Sequence, residues 1–174
     1  MGGQLRLEPL GERHLDGIAE LVADPEVLRF TRVPEPPPPG FARDWLARYE
    51  PGSGDGTRAG FAAVDAGGAF LGLALAPEID AEAREVELGY IVAPAARGRG
   101  VATAMLRELT RWAFAEMGAL RAYLLIDTGN VASQRVAERS GYVLEGVLRS
   151  MYLKQGRRSD QMIWSRLPSD PGPD

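Results

Sequence analysis

The feature that most constrains the fold is a strand, a glycine-rich loop and a long helix in direct succession. Residues 85–92 alternate between polar and apolar side chains and then become apolar, which predicts a strand. A glycine- and arginine-rich loop follows at 97–103, and an apolar stripe at helical spacing predicts a helix over 100–117. Strand 121–126 and helix 131–139 continue the alternation, which predicts a mixed α/β fold.

Hydrophobic periodicity along the rest of the chain predicts one domain over residues 1–167. The proline- and glycine-rich tail 168–174 is expected to be disordered. Pro25 is expected to close the first helix, and the proline run 34–40 to form a stiff connector. Further strands are predicted over 5–8, 60–64, 70–76, 142–153 and 159–167, and further helices over 12–22 and 41–49.

Composition excludes several kinds of site. The 174 residues contain no cysteine, which removes disulfides, thiolate metal sites and cysteine nucleophiles. Without thiolate ligands no metal is expected. The single histidine, His14, is predicted on a helix surface, and no nucleophile motif lies near it, so a Ser–His triad is not expected either. A net charge of −4 argues against a nucleic-acid partner. Because the sequence has no long apolar run, no membrane partner is expected. Because it has no export signature, a cytoplasmic location is expected.

The loop between strand and helix has the composition of an anion-binding site. Gly98 and Gly100 leave backbone N–H groups uncovered at the positive end of the helix dipole, while Arg97 and Arg99 add charge. Such a loop suits a phosphate or pyrophosphate, although a plain glycine turn with solvated arginines fits the same residues. Walker and dinucleotide motifs do not fit, because Gly-Lys-Ser/Thr is absent and Thr103 stands at the third glycine position.

Four segments stand in register along the chain: the loop, Glu-Leu-Gly-Tyr at 87–90, Asn-Val-Ala-Ser at 130–133 and Gly-Tyr at 141–142. This arrangement resembles the GNAT superfamily of acyl-CoA-dependent N-acyltransferases, and within it the ribosomal-protein N-terminal acetyltransferase (RimJ/RimL-like) branch. The resemblance covers about residues 61–167. It implies a central twisted, mostly antiparallel sheet of about seven strands, with two splayed parallel strands and flanking helices.

The resemblance also implies acetyl-CoA as co-substrate. In the family the pantetheine lies between the splayed strands and the pyrophosphate on the loop, and Asn130 is similar to the side chain that meets the pantetheine amide. Asn130 fits the N-cap of the following helix equally well. The residues that the resemblance assigns to the cofactor are Ile91, Val92, Ala93, Arg97, Gly98, Arg99, Gly100, Val101, Ala102, Thr103, Asn130, Ser133 and Tyr142.

Acetyl transfer needs a neutral amine, and therefore a base. Glu87 is the candidate, because the family often keeps a carboxylate in this strand facing the acceptor; a solvated strand face is the alternative. Glu85, two residues back, is expected on the same face. Ser133 is the candidate acid, since Ala137 stands where many relatives carry a tyrosine, or it binds the cofactor without moving a proton.

The acceptor is expected to be a protein or peptide N-terminus, with a small-molecule amine such as an antibiotic or a polyamine as the alternative. Two other classes are left open: a non-catalytic acyl-CoA-binding protein, and a nucleic-acid module that uses the arginines as a phosphate track. A homodimer is a further expectation, with the apolar C-terminal hairpin as its docking face. The hairpin residues concerned are Met151, Tyr152, Met162 and Trp164.

Overall fold

The computed structural model describes residues 5–51 and 54–173, which form a seven-stranded mixed sheet with helices on both faces. The strands are β1 (Arg6–Pro9), β2 (Ala59–Val64), β3 (Phe70–Asp80), β4 (Glu85–Val92), β5 (Arg121–Asp127), β6 (Val143–Lys154) and β7 (Arg157–Arg166). The helices are α1 (Leu15–Ala23), α2 (Pro25–Phe30), α3 (Phe41–Tyr49), α4 (Val101–Ala115) and α5 (Val131–Arg139), with 3-10 turns at Glu12–His14 and Pro94–Ala96.

The strands lie in the order β1-β2-β3-β4-β5-β7-β6, and β4 and β5 pair in parallel while the other neighbours are antiparallel. This confirms the predicted α/β class and the mostly antiparallel sheet. No helix of the described residues is long and apolar enough to cross a membrane.

Two hydrophobic cores separate the helices, one on each face of the sheet. Because side chains alternate along β4, Val86 and Leu88 pack into a core with Leu106 of α4, while Ile91 packs into the opposite core with Leu46 of α3. Helices α4 and α5 therefore cover one face, and α1, α2 and α3 cover the other.

The parallel pair separates soon after it begins. Strands β4 and β5 pair only at Glu85–Arg121, Val86–Ala122 and Glu87–Tyr123, whereas β4 continues to Val92 and β5 to Asp127. The second half of β4 therefore has an open edge on the β5 side, which confirms the predicted splay.

One local prediction is confirmed but incomplete, and another is wrong. Helix α1 does end before Pro25, but Pro25 then begins α2, because the Asp24 carboxylate accepts the N–H groups of Glu26 and Val27, both at 3.0 Å. His14 is not on a helix surface: it is 4% exposed, and its Nε2 lies 2.9 Å from a Glu8 carboxylate oxygen. A carboxylate on the neighbouring strand allows the ring to be buried.

The C-terminal hairpin and the residues after it make contacts within the chain itself. Trp164 is buried in the core of the chain itself, so only part of the expected docking face is exposed, including Met151. After β7, the Leu167 N–H donates to the Asp170 carboxylate at 2.8 Å, and Arg166 donates to the Pro171 carbonyl at 3.3 Å. These contacts describe the course of the tail as far as Pro173; Asp174 lies outside the described residues.

Candidate active site

The loop before α4 has the backbone of an anion site. Gly98 and Gly100 have φ of +71° and +76°, a left-handed conformation that favours glycine. The first-turn N–H groups of an α-helix have no intrahelical partner, and in α4, which starts at Val101, the N-cap Gly100 offers them no side-chain acceptor either. A Cβ added at either glycine would meet nothing within 4 Å. The loop thus presents N–H donors to open space at the positive end of a helix, which fits a pyrophosphate.

The Arg97 side chain is bound by two carboxylates at the start of α2 and by the end of β4. Its guanidinium donates to Asp24 at 3.0 Å and to Glu26 at 2.8 Å, and its Nε donates to the Val92 carbonyl at 3.2 Å. Burial raises the pKa of Asp24, but the Arg97 guanidinium and the α2 N–H groups outweigh it and lower that pKa. Arg97 is therefore a link between α2 and the end of β4, while Arg99 is exposed. A direct role of Arg97 on a cofactor stays a prediction.

The open edge of β4 offers few backbone donors. The Ala93 N–H donates to the Leu71 carbonyl on the β3 side, at 2.8 Å. Backbone groups of successive strand residues point to opposite edges, so the N–H of Val92 points into the gap toward β5, and that of Ile91 toward β3. Of the three residues predicted to meet a pantetheine through backbone groups, Val92 has the suitable direction.

Asn130 and Ser133 lie where β5 passes into α5. The Asn130 Oδ1 accepts the Ser133 N–H at 3.2 Å, so Asn130 is the N-cap of α5, and its amide nitrogen is left as a donor. The Tyr90 hydroxyl donates to the Ser133 carbonyl at 3.5 Å, which joins β4 to α5 across the gap. Burial raises the pKa of Tyr90 to about 12, so the hydroxyl keeps its proton at neutral pH.

Tyr142 lies deeper than its predicted cofactor role suggests. Its side chain is buried between α4 and α5, and its hydroxyl lies 2.7 Å from the Thr110 hydroxyl. Burial raises the pKa of Tyr142 well above its usual range. The visible role of Tyr142 is to hold α4 beside α5, and contact with a cofactor stays a prediction.

Glu87 lies on the opposite face of the sheet, toward α2 and α3. Its side chain is 9% exposed, and its Oε1 lies 3.3 Å from a guanidinium nitrogen of Arg32. Burial raises the pKa of the Glu87 carboxyl, Arg32 opposes that rise, and Glu78 adds to it. A buried carboxylate whose pKa is raised toward neutrality is suited to accept a proton.

Carboxylates dominate the sheet surface around Glu87. Glu78 and Asp80 of β3 stand opposite Glu87 and Glu85 of β4, so four carboxylates share one face. Tyr123 of β5 stands beside Glu87, and burial together with that charge raises the pKa of Tyr123 to about 12. This face can attract a cationic group.

The glycine loop thus follows the open end of β4, and the buried Glu87 carboxylate lies at the last position where β4 and β5 still pair. Residues 4–143, most of the chain, match the family description of an acetyltransferase (GNAT) domain. The chain belongs to the acetyltransferase (GNAT) domain family.

Curated relatives agree with that family assignment. YdaF of Bacillus subtilis strain 168, provisionally named a ribosomal N-acetyltransferase, is 30% identical over 128 residues, which cover 71% of this chain and 65% of YdaF. The chain spans about half to two thirds of the length of the curated relatives that it matches. The YdaF match supports the predicted resemblance to the ribosomal-protein branch.

Solved structures share the fold. Spermidine N-acetyltransferase from Vibrio cholerae, in complex with CoA and spermine, superposes with a TM-score of 0.84 and covers 96% of this chain and 97% of its own, at 24% identity. A protein provisionally described as an acetyltransferase superposes with a TM-score of 0.80 at 30% identity, covering 98% of this chain and 86% of its own.

Sequence reasoning missed several side chains of this GNAT acetyltransferase that lie at the gap or around Glu87. Strand alternation was a usable signal for Tyr123, which stands beside Glu87, and for Glu78, once β3 is known to reach Asp80. Tyr90 was named only as part of the Glu-Leu-Gly-Tyr motif at 87–90, with no role of its own. Arg32 had no signal, because it lies in an irregular segment and meets Glu87 across 55 positions of sequence.

Proposed function

We propose that this GNAT acetyltransferase transfers the acetyl group of acetyl-CoA to a primary amine on a protein or peptide N-terminus. The observation that carries the proposal is the gap between β4 and β5, which opens between an N–H-lined loop and a buried carboxylate. The loop side suits the anionic part of a CoA ester, and the carboxylate side suits an amine.

The chain has residues that fit acetyl-CoA, which supplies the acetyl group as a thioester. The N–H groups at Gly98 and Gly100 and in the first turn of α4 would hold the pyrophosphate. The Val92 N–H faces the gap, and the Asn130 amide nitrogen is a donor at the start of α5. These groups would bind and orient the co-substrate largely through the backbone.

On the acceptor side, Glu87 accepts the proton that an ammonium group must lose before the nitrogen can attack. Its ionised form is the active one, so activity is expected to appear as pH rises through its pKa, which burial raises. On the leaving side, Ser133 Oγ remains the predicted proton donor. The Tyr90 hydroxyl, held on the Ser133 carbonyl, is a second group that keeps a proton at neutral pH.

A small polyamine is a second candidate acceptor, favoured by the four carboxylates that share the Glu87 face. A nucleic-acid module fits less well. Arg97 of the supposed phosphate track pairs with two carboxylates, Arg111 pairs with Glu108, and Arg158 donates to the Ser150 carbonyl.

The test has two stages. Calorimetry and thermal unfolding with acetyl-CoA come first, since a ligand at 100 times its Kd adds about 2.7 kcal/mol of stability. Thiol release is then followed with two acceptors, a peptide with a free N-terminal serine and spermidine. Turnover of the peptide supports the proposal, and turnover of spermidine alone moves the assignment to a polyamine. Binding without thiol release from either would favour the non-catalytic reading, and absence of binding would overturn the cofactor assignment.

A further inference from the structure

Glu87 has a resident cation that the sequence did not reveal. Within the described residues, Arg32 forms the one ion pair of the Glu87 carboxylate, with nitrogen and Oε1 3.3 Å apart. The pair joins the sheet to the segment that follows α2, 55 positions away in sequence. A contact across this distance has to be maintained by the structure around both partners.

The backbone that carries Arg32 is fixed while its side chain is exposed. The Thr31 carbonyl accepts the Lys154 Nζ at 2.9 Å and the Tyr152 hydroxyl at 3.4 Å, both from β6. Val33, on the other side, is buried in the core with α1 and α3. The Arg32 side chain nevertheless is 60% exposed. It can therefore swing into solvent without disturbing the segment that holds it.

We propose that Arg32 is a positioning residue that acts through Glu87 as its resident counter-ion, and that the ammonium group of the acceptor replaces it there. The proposal rests on the proposed function in one respect, the assignment of the Glu87 side of the gap to the acceptor. An ammonium group and a guanidinium on one small, buried carboxylate would repel each other, so the exposed side chain gives way.

The charges around Glu87 explain why a counter-ion is needed. Glu78 of β3 and Glu85 of β4 are carboxylates, while Tyr123 of β5 and Tyr49 of α3 lie close enough for the Glu87 charge to raise their pKa values. The neighbouring Arg121 pairs with Glu85 and Glu145 instead. Without Arg32, burial and Glu78 act on Glu87 unopposed, and its carboxyl takes up a proton at higher pH. An arriving ammonium then meets a neutral group.

The test compares Arg32→Met with Arg32→Lys, and uses Arg29→Met as a matched control, because Arg29 lies three residues earlier and stacks on Phe30 instead. Protein carrying ¹³C at the glutamate carboxyl carbons is titrated by NMR, with the Glu87 signal assigned from Glu87→Gln. The midpoint of that signal is expected to rise in Arg32→Met, and to stay near the wild-type midpoint in Arg32→Lys and Arg29→Met.

The exchange is tested without turnover, with ethylammonium chloride as the probe at constant ionic strength. It is expected to shift the Glu87 signal at about threefold lower concentration in Arg32→Met than in wild type. The comparison is made at a pH where the Glu87 carboxyl is ionised in both proteins. With the acceptor that turns over, kcat/KM of Arg32→Met is expected about tenfold below wild type at a pH below the wild-type Glu87 midpoint, and acceptor KM at high pH about threefold lower.

An unchanged Glu87 titration in Arg32→Met would overturn the counter-ion, and equal ethylammonium response in both proteins would overturn the exchange. Arg32→Lys behaving like Arg32→Met would also count against it, since that result points to packing rather than charge. The proposed function fails separately: if wild type acetylates neither peptide nor spermidine, the two NMR titrations still decide the role of Arg32.

Discussion

The two sides of the gap are built in different ways. The side proposed to bind acetyl-CoA, called the cofactor side, consists of a continuous loop, the helix start that follows it and the N-cap of α5, all within about forty residues of chain. The side proposed to bind the amine, called the acceptor side, gathers Arg32, Tyr49, Glu78, Glu87 and Tyr123 from five separate elements or connections. One side is local in sequence and the other exists only after folding.

The two sides also use different chemistry. The cofactor side presents backbone N–H groups, which every residue except proline carries, so its specificity comes from backbone shape. The acceptor side depends on the charge of side chains in a buried place, where one missing partner changes the protonation of the rest. A substitution should therefore impair the cofactor side by changing the backbone shape or by adding a charge. It should impair the acceptor side by removing a charge.

The largest expected effect is at the loop. Gly100→Glu is expected to weaken acetyl-CoA binding so that Kd rises by about 10²-fold or more, because a carboxylate would stand at the anion site. A Cβ at position 100 would meet no neighbouring atom, so the only backbone strain in the variant comes from the left-handed φ of +76°. Gly100→Asn is the control, because asparagine tolerates this conformation without adding charge. Calorimetry measures both, and equal Kd values for Gly100→Glu and wild type would remove the loop from the cofactor site.

On the acceptor side, Glu87→Gln is expected to lower kcat by about 10²-fold at neutral pH and to leave the acetyl-CoA Kd unchanged, because only the proton acceptor is lost. Glu85→Gln is the matched control, since Glu85 lies on the same face of β4 but pairs with Arg121 at 2.9 Å. Steady-state kinetics with the active acceptor separates the two. A wild-type kcat for Glu87→Gln would remove this carboxylate from the chemistry.

The same contrast explains how far the sequence could be used. Periodicity predicted the strands and helices around the gap and the loop between them, because each is a local property of β4 and α4. It ended β3 at Ala76, but β3 runs to Asp80, since a register shift between Leu75 and Glu78 accommodates Pro77 within the strand. That extension brings Glu78 beside Glu87. The Arg32–Glu87 pair depends on how α2 and β6 pack, which no local pattern encodes.

Arg97 lies in the loop of the cofactor side but contacts the start of α2, the helix that precedes Arg32 of the acceptor side, so it tests whether the two sides are independent. Arg97→Met is expected to lower the free energy of unfolding by about 1–2 kcal/mol, because Asp24 and Glu26 lose their hydrogen bonds. The loss stays this small because solvent screens these partly exposed groups. Acceptor KM is expected to rise more than the acetyl-CoA Kd, as α2 precedes Arg32. A larger effect on acetyl-CoA would instead make Arg97 a direct cofactor ligand.

The pH dependence of that stability loss sharpens the assignment. The pKa of Asp24 is lowered in the folded protein, so its contribution is present above its unfolded pKa and is lost as pH falls through the folded one. The difference in stability between wild type and Arg97→Met should therefore shrink in strongly acid solution, once Asp24 is protonated. Denaturant unfolding at neutral and acid pH measures it, with Arg99→Met, which alters an exposed side chain, as the control.

The smallest expected effect separates two roles within one residue. Asn130→Ala removes the N-cap of α5 and is expected to cost about 1 kcal/mol of stability, whereas Asn130→Ser keeps an oxygen for the Ser133 N–H and is expected to cost little. Both variants lose the amide nitrogen, the donor proposed to meet acetyl-CoA. If that donor binds the co-substrate, both weaken acetyl-CoA binding by a similar factor, about fivefold for one neutral hydrogen bond. If only Asn130→Ala weakens acetyl-CoA binding, the amide nitrogen does not contact the co-substrate. Asn130 would then affect binding only by capping α5 and holding that helix in place.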